Sequence, residues 1–191
     1  MLHRTAARTL LATAAIGLSV TVIPAANASP APAARQPLAT TTLYYSDSQA
    51  AEFKSAVAAG ANVWNTSVHN VRLVKAAAGQ HADITIIAFD GWPQSTLGPV
   101  RPGGHGTVWY GREAVNEGYD LTRIAAHELG HSLGLPDNKP GPCSSLMSGS
   151  TGGVSCKNAL PNASEKAAVE ANYASGVTQT PFSGRTLVDA P

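Results

Sequence analysis

The sequence predicts an α+β fold, in which short strands and longer helices pack around one hydrophobic core. Two observations lead to this class. Several short segments alternate apolar and polar residues or are rich in β-branched residues, which is typical of strands. Two longer segments, 48–67 and 120–133, repeat apolar residues at helical spacing. The chain has 191 residues, of which 43% are hydrophobic, and this is enough for one compact domain.

The predicted strands follow from local composition. In chain order they are 41–45, 71–75, 83–89 and 107–110. Residues 91–106 form a long loop between the last two strands, rich in Pro and Gly. Long ordered loops often carry function, so this loop is a candidate part of a site.

The predicted helices are recognised by their ends as well as by their apolar faces. The first helix is expected to begin at Ser48, whose hydroxyl can accept a backbone N–H bond, and to end near Ser67. Its apolar face should pack on the sheet and is formed by Phe53, Val57, Ala61 and Trp64. A last helix is expected from Asn162 to about Gly176, because Asn162 and Glu165 have the spacing of a capping box.

The two ends of the chain differ in composition from the middle. Residues 1–28 have a basic start, an apolar run and an Ala26-Asn27-Ala28 cleavage site, which together predict a secretory signal peptide. Residues 29–39, rich in Pro and Ala, are expected to be a short pro-segment or linker. Residues 40–176 would then be the folded domain, and the tail 177–191 is expected to be disordered. We therefore expect a secreted, extracellular protein that is not attached to a membrane after signal cleavage.

The charge composition excludes some classes of partner. Lys and Arg number 13 and Asp and Glu number 12, so the formal net charge is only +1. A nucleic-acid-binding protein would carry a much stronger basic bias. No nucleic-acid partner is therefore expected.

The most informative stretch is His127-Glu128-Leu129-Gly130-His131. On an α-helix, residues four apart lie nearly one above the other, so the two imidazoles can bind the same metal ion. Zinc accepts imidazole nitrogen, and in a catalytic site it takes three protein ligands and one water molecule. The two histidines alone are therefore one ligand short.

The residues after the helix can supply the third ligand. Gly134 tolerates the left-handed conformation that ends helices, and Pro136 cannot continue one. The chain can therefore turn back and bring the carboxylate of Asp137 to the same ion. The whole pattern is H-E-x-x-H-x-x-G-x-x-D, with His127, His131 and Asp137 as predicted zinc ligands.

Glu128 is the candidate catalytic residue. On the helix it is rotated by about 100° from His127, which places it beside the metal ion. A carboxylate there can take a proton from a zinc-bound water molecule and pass it to a departing amine. This arrangement is typical of hydrolytic enzymes.

These residues resemble the metzincin metalloproteases, and within them the snapalysin family of small secreted bacterial neutral proteases. An aspartate as third ligand, here Asp137, is the mark of that family. The resemblance extends over roughly residues 40–175 and includes the Cys-Ser-Ser-Leu-Met-Ser segment at 143–148 and the Gly-Gly-His-Gly segment at 103–106. It implies a metzincin-like zinc protease fold, with a small twisted mixed sheet packed on two long helices and a C-terminal helix.

The resemblance also implies roles for individual residues. Met147 would lie beneath the metal ion in a methionine turn. Asp120 and Thr122 would bind a calcium ion, although Asp120 is also an acceptable helix N-cap. The segment 105–110 would be the edge strand along which a substrate peptide lies, with His105 as either a substrate contact or a structural residue.

Cys143 and Cys156 are the only cysteines in the chain. In a secreted protein, a pair of cysteines predicts a disulfide bond. The disulfide would close the loop that contains Met147.

Lys139 departs from the family pattern. Typical members have a tyrosine two residues after the aspartate ligand, where it is proposed to stabilise the tetrahedral intermediate. The ammonium group of Lys139 could contact the oxyanion in the same way, or it could point into water.

The expected function is that of a zinc-dependent endopeptidase acting on extracellular proteins. The resemblance implies a preference for an aromatic residue just after the scissile bond. We expect a monomer with polypeptide substrates, and a secreted protein inhibitor is a candidate partner. Besides zinc, calcium is the second expected ion.

Three alternatives remain open from the sequence. A zinc amidase or esterase acting on small substrates would use the same residues. A catalytically silent zinc-binding or adhesion module is disfavoured because Glu128 is present. A cell-wall-associated interaction protein would need an anchor, which the tail does not contain.

Overall fold

The structure is a computed structural model that describes residues 39–174 and 183–191. The predicted signal peptide and residues 29–38 of the predicted pro-segment lie outside the described residues, so both stay predictions. Across the described parts of the chain, no helix combines the length and the apolar character needed to cross a membrane.

Within the described residues, six strands form one mixed sheet, as the fold class predicts. They are β1 (Thr41–Gln49), β2 (Val71–Lys75), β3 (Ile84–Phe89), β4 (Gln94–Thr96), β5 (Gly106–Gly111) and β6 (Thr186–Val188). Their order across the sheet is β2-β1-β3-β5-β4-β6. β1, β2, β3 and β5 are mutually parallel, whereas β4 runs antiparallel to both of its neighbours.

Four α-helices accompany the described part of the sheet. They are α1 (Lys54–Ser67), α2 (Arg112–Asn116), α3 (Leu121–Ser132) and α4 (Ala163–Asn172). The α4 helix begins with the predicted capping box, since Asn162 accepts from the Glu165 amide and Glu165 accepts from the Asn162 amide. The predicted end near Gly176 is too late, because α4 ends at Asn172; Gly176 itself lies outside the described residues.

The two long helices α1 and α3 pack closely against each other. Gly60 of α1 lies against α3, where a Cβ atom at this position would be 2.7 Å from Ala125 Cβ and 2.8 Å from the Ala126 amide nitrogen. Trp64 is buried in the same contact and its Nε1 donates to Ala126 O at 2.8 Å. The first helix therefore supports the helix that carries the metal-ligand motif, as well as packing on the sheet.

The first helix begins later than predicted. Ser48 does not cap it, because β1 continues through Gln49, which pairs with Ile87 of β3 across a register shift. A short 3-10 helix at Ala51–Phe53 then leads into α1. Pairing with β3 extends the strand beyond the point where the local sequence favours a helix.

The expectation that β5 is an edge strand is wrong. β5 lies between β3 and β4, so both of its edges are paired. The strand that contacts Glu128 of α3, through Ser95, is β4, which falls within the predicted loop 91–106. His105 is exposed and its ring lies 5.2 Å from that of His81 between centroids, and both predicted roles of this residue stay predictions.

The expectation of a disordered tail is wrong for residues 183–191. β6 pairs antiparallel with β4, and Asp189 is only 5% exposed. The physical reason is that β4 offers an edge whose backbone groups need partners. Residues 175–182 lie outside the described residues.

We predict that Gly60→Ala destabilises the domain by about 1–3 kcal/mol, because the added methyl group overlaps α3 backbone atoms. Urea unfolding followed by tryptophan fluorescence measures the free energy of unfolding. The matched control is Ala58→Gly at an exposed position of α1, which should cost about 1 kcal/mol through helix propensity alone. If Gly60→Ala instead stabilised the protein, propensity would outweigh packing and the close contact would be refuted.

Candidate metal centre and active site

The three predicted zinc ligands converge at one point. His127 Nε2 and His131 Nε2 are 3.0 Å apart, and each is 3.5 Å from Asp137 Oδ1. Ligand atoms in a tetrahedral zinc shell are about 3.3 Å apart, given metal–ligand bonds of about 2.0–2.1 Å. The geometry therefore fits one zinc ion.

The other ring nitrogens of the two histidines determine which atoms face the site. His127 Nδ1 is 3.0 Å from Leu146 O, and His131 Nδ1 is 2.7 Å from Leu135 O. A carbonyl oxygen can only accept, so both Nδ1 atoms carry a proton and, in the neutral rings, both Nε2 atoms present lone pairs. Two lone pairs 3.0 Å apart cannot share a hydrogen bond, and a cation between them removes the conflict.

Asp137 supplies a further sign that these residues fit a cation. Among the described residues, its Oδ1 atom is buried and has no hydrogen-bond partner. A buried carboxylate oxygen without a partner is costly, and coordination of a metal ion would satisfy it. The residues present therefore fit the zinc ion that the motif predicts.

The end of α3 positions Asp137. Gly134 has a φ of +96°, a conformation that favours glycine. The Leu135 amide donates to Gly130 O at 3.0 Å and the Gly134 amide to His131 O at 2.9 Å, which is the hydrogen-bond pattern of a Schellman motif. This turn ends the helix and directs the following Asp137 back to the histidines.

The carboxylates around the site favour a positive charge at its centre. Burial lowers the pKa of His127, but the nearby Asp189 and Asp137 carboxylates outweigh burial and raise it. For Asp137, burial raises the pKa, but the two imidazoles close to its carboxylate outweigh burial and lower the pKa. The same carboxylates would stabilise a divalent cation bound to the imidazoles in place of a proton.

Glu128 lies beside this centre and is fully buried. Its Oε1 atom is 4.0 Å from His127 Nε2 and, among the described residues, accepts no hydrogen bond. Its Oε2 atom accepts from Ser95 Oγ at 2.5 Å. Burial raises the pKa of Glu128 and brings it closer to neutral pH.

Met147 packs against the metal-binding segment of α3. It is 2% exposed, and its Sδ lies 2.8 Å from where a Cβ atom of Gly130 would be. Gly130 stands between the two histidines in the motif, so the methionine lies directly against the backbone of the site. The family resemblance implies that Met147 lies beneath the metal ion, and in the structure it contacts the segment of α3 between the two histidines.

Glu165 fixes the methionine turn from the side of α4. Its carboxylate accepts from Ser145 Oγ at 2.6 Å, from the Met147 amide at 2.9 Å and from the Leu146 amide at 3.2 Å. Leu146 is also the residue whose carbonyl orients His127. Glu165 therefore connects α4 to the metal centre through one turn of chain.

The disulfide predicted between Cys143 and Cys156 is present, with a Cα–Cα distance of 5.6 Å. Arg123 of α3 binds the same loop, donating to Ser145 O and to Ser148 Oγ, each at 2.9 Å. The loop that contains Met147 is thus held covalently at its ends and by hydrogen bonds in its interior.

Asp120 acts as the N-cap of α3, because its Oδ1 accepts from the Arg123 amide at 2.9 Å. The described residues contain two groups of three His, Cys, Asp or Glu side chains that could hold a metal ion, and Asp120 belongs to neither. Thr122 is partly buried in the first turn of the same helix. Calcium binding by Asp120 and Thr122 stays a prediction.

Lys139 is not surrounded by water in this structure. Its side chain is 18% exposed, forms an ion pair with Asp189 and donates to Ala190 O at 3.1 Å. The interpretation of a solvated lysine is therefore wrong here. The ammonium group is connected to the metal centre through Asp189, whose Oδ2 lies 3.8 Å from His127 Nε2.

Sequence reasoning missed three residues of the site. Ser95 and Asp189 lie in segments predicted to be a loop and a disordered tail, and no local pattern marks either residue. Glu165 was identified only as part of a capping box. Its contacts with the methionine turn depend on how α4 packs, which the spacing does not reveal.

We predict that Glu165→Ala lowers the free energy of unfolding by about 2–4 kcal/mol, because the buried Leu146 and Met147 amides lose their acceptor. Urea unfolding of the metal-free protein measures this, since bound metal would add its own stabilisation. Glu165→Gln keeps an acceptor oxygen and should lose less than half as much. Equal losses for both variants would contradict the role assigned to the acceptor oxygens.

Residues 40–176 match the Streptomyces extracellular neutral proteinase (M7) family. The chain is 43% identical over 138 residues to an extracellular small neutral protease from Streptomyces caespitosus, covering 72% of this chain and 100% of the relative. It is 42% identical over 139 residues to the protein of the same name from Streptomyces lividans, covering 72% of this chain. The matched part is only 59% of the Streptomyces lividans protein, which is less than two thirds of its length.

A solved structure is also similar at a lower level. High choriolytic enzyme 1, a hatching enzyme zinc-protease from Oryzias latipes, is 23% identical with a TM-score of 0.38, over 50% of this chain and 44% of that chain. A structural similarity this low supports no conclusion about the fold or activity of this chain. The family match and the sequence identity are sufficient by themselves, and the chain belongs to the Streptomyces extracellular neutral proteinase (M7) family.

Proposed function

We propose that this protein is a secreted zinc-dependent endopeptidase that hydrolyses peptide bonds of extracellular proteins. The observation that carries the proposal is the convergence of two imidazole nitrogens and one carboxylate oxygen next to a buried glutamate. The relatives are named extracellular small neutral proteases, which agrees with this activity and with secretion.

His127, His131 and Asp137 would hold the zinc ion, which supplies a Lewis acid and lowers the pKa of a bound water molecule. Glu128 accepts the proton of the attacking water and later donates it to the leaving nitrogen. Ser95 holds Oε2 of Glu128 and leaves Oε1 free for this transfer. The raised pKa of Glu128 suits a group that must both accept and donate a proton near neutral pH.

The strand β4 is the element along which a peptide substrate would lie. Ser95 of β4 contacts the catalytic Glu128, so this strand runs past the reacting centre. The backbone of β4 pairs with β6 on its outer side, which demonstrates that an extended segment fits there. Backbone pairing binds peptides of many sequences, and this favours an endopeptidase over an esterase or amidase for small substrates.

A preference for an aromatic residue after the scissile bond is part of the proposal. A cavity borders His127 and is lined mainly by apolar atoms, including those of Trp92, Ala114, Tyr119 and Ile124. At about 10 Å³ this cavity has room for about one water molecule, so the aromatic preference rests on the family resemblance.

Calcium at Asp120 and Thr122, a monomeric state and a secreted protein inhibitor remain parts of the proposal that rest on the family resemblance. A chelator selective for calcium and one selective for zinc, applied separately, distinguish a requirement for the first ion from a requirement for the second.

We predict that Glu128→Gln lowers kcat for casein digestion by about 10³-fold, because proton transfer is lost. The zinc content should stay at one ion per chain, since Glu128 is not a ligand. Zinc removal by a chelator should abolish digestion in the parent protein. Sequencing of the cut ends would reveal the residue that follows each cleaved bond.

The matched control for this experiment is Glu113→Gln, the same change at an exposed position of α2. It should retain full activity. An inactive parent protein with bound zinc would support a silent zinc-binding module, and an active Glu128→Gln variant would refute the assigned catalytic role.

We further predict that Lys139→Ala lowers kcat less than about tenfold when substrate is saturating. The ammonium group of Lys139 is already engaged by Asp189 and Ala190 O, so we expect it to contribute only modestly to stabilising the oxyanion. A loss of about 100-fold or more, restored by Lys139→Arg, would show that the positive charge stabilises the oxyanion.

A further inference from the structure

The C-terminal segment 183–191 binds along the edge where a substrate peptide would lie. β6 pairs antiparallel with β4, with Gln94 opposite Val188, Ser95 opposite Leu187 and Thr96 opposite Thr186. Addition of a strand to a free sheet edge is a common mode of peptide recognition. The segment therefore has the geometry of a bound peptide that belongs to the same chain.

Backbone hydrogen bonds also form at the residues just before and just after β6. The Leu97 amide donates to Arg185 O at 2.7 Å, and the Asp189 amide donates to Pro93 O at 2.8 Å. The segment is thus held in one register along the whole of β4. This register determines which of its residues meets the metal centre.

Asp189 is the residue that reaches the metal centre. Its Oδ2 is 3.8 Å from His127 Nε2, and it forms with His127 and Glu128 a second group able to hold a metal ion. In the proposed reaction, the space next to His127 and Glu128 is where the attacking water must bind. The Asp189 carboxylate therefore competes with that water.

Neighbouring residues bind the Asp189 carboxylate and leave space for it. The Ser150 amide donates to Asp189 Oδ1 at 2.9 Å, and Lys139 forms an ion pair with the same group. Gly149 has a φ of +50°, and a Cβ atom there would lie 2.1 Å from Asp189 Oδ1. Only a glycine at this position leaves room for the carboxylate.

The side chains of β6 contribute little to the hydrophobic core. Thr186 and Val188 are exposed, with Val188 at 52%, and Leu187 is only partly buried. A strand that stabilised the core would bury apolar side chains. Here the deeply buried side chain of the segment is Asp189, a charged residue directed at the active site.

We propose that the C-terminal segment is an internal peptide inhibitor that occupies the substrate groove, with Asp189 as its metal-directed residue. This inference rests on the proposed endopeptidase function. Because the segment is covalently attached, it competes at a high effective concentration and raises the apparent KM. Saturating substrate displaces it, so kcat does not change.

The test compares the parent chain with the full-length variant Asp189→Arg and with a chain that ends at Ala174. The charge reversal places an arginine against Lys139 and the metal centre and should release the segment. A synthetic peptide with the sequence of residues 183–191 is titrated into each zinc-free protein by calorimetry. We expect the peptide to bind both variants, with one peptide per chain, and not to bind the parent.

Activity on a quenched fluorescent peptide gives the second measurement. KM should fall at least about fivefold in both variants relative to the parent, with kcat within about twofold. Glu113→Arg is the matched control for an acidic-to-basic change at an exposed site, and it should resemble the parent in both measurements.

The outcomes separate this inference from the proposed function. Equal peptide binding to the parent and the shortened chain, or equal KM values, would refute the internal inhibitor even if all proteins digest casein. Selective peptide binding by the variants, with no hydrolysis by any zinc-loaded protein, would refute the endopeptidase function and leave the groove occupied as proposed. If circular dichroism shows that the shortened chain does not fold, the comparison of Asp189→Arg with the parent decides.

Discussion

The turn that ends α3 is the constraint on which the site depends. The glycine at 134 allows the helix to stop one residue after the second metal ligand and the chain to reverse. Without that reversal, the Asp137 carboxylate would move away along the helix axis, and the two imidazoles would lack a third ligand. The surrounding loop reinforces the turn, since the Gly98 and Val100 amides donate to the carbonyls of His131 and Ser132 at 2.8 Å.

Much of the fold and the centre of the site could be predicted from the sequence, because their determinants are local. The spacing of the two histidines, the glycine after the helix and the capping box of α4 all act within a few residues. The class of the fold and the strands β2 and β3 follow from short patterns in the same way. Local patterns in the sequence are therefore sufficient to identify the candidate metal ligands and the candidate general base.

The remaining parts depend on contacts between distant segments. β4 has only three residues, and its sequence resembles a loop; it becomes a strand because β5 and β6 lie on its two sides. Ser95 is significant only because that strand passes Glu128. The polar composition of the tail predicted disorder. Its strand β6 is nevertheless formed, because its stability comes mainly from backbone hydrogen bonds to β4 and little from burial of apolar side chains.

The disulfide determines in which cellular compartment the protein reaches its full stability. Closing a loop of this length contributes about 3 kcal/mol in the chain-entropy model, and the loop it closes carries both Met147 and the carbonyl that orients His127. In a reducing cytoplasm this contribution would be absent. If the protein is exported as proposed, the metal centre gains its full rigidity only outside the cytoplasm, which would limit proteolytic damage to the producing cell.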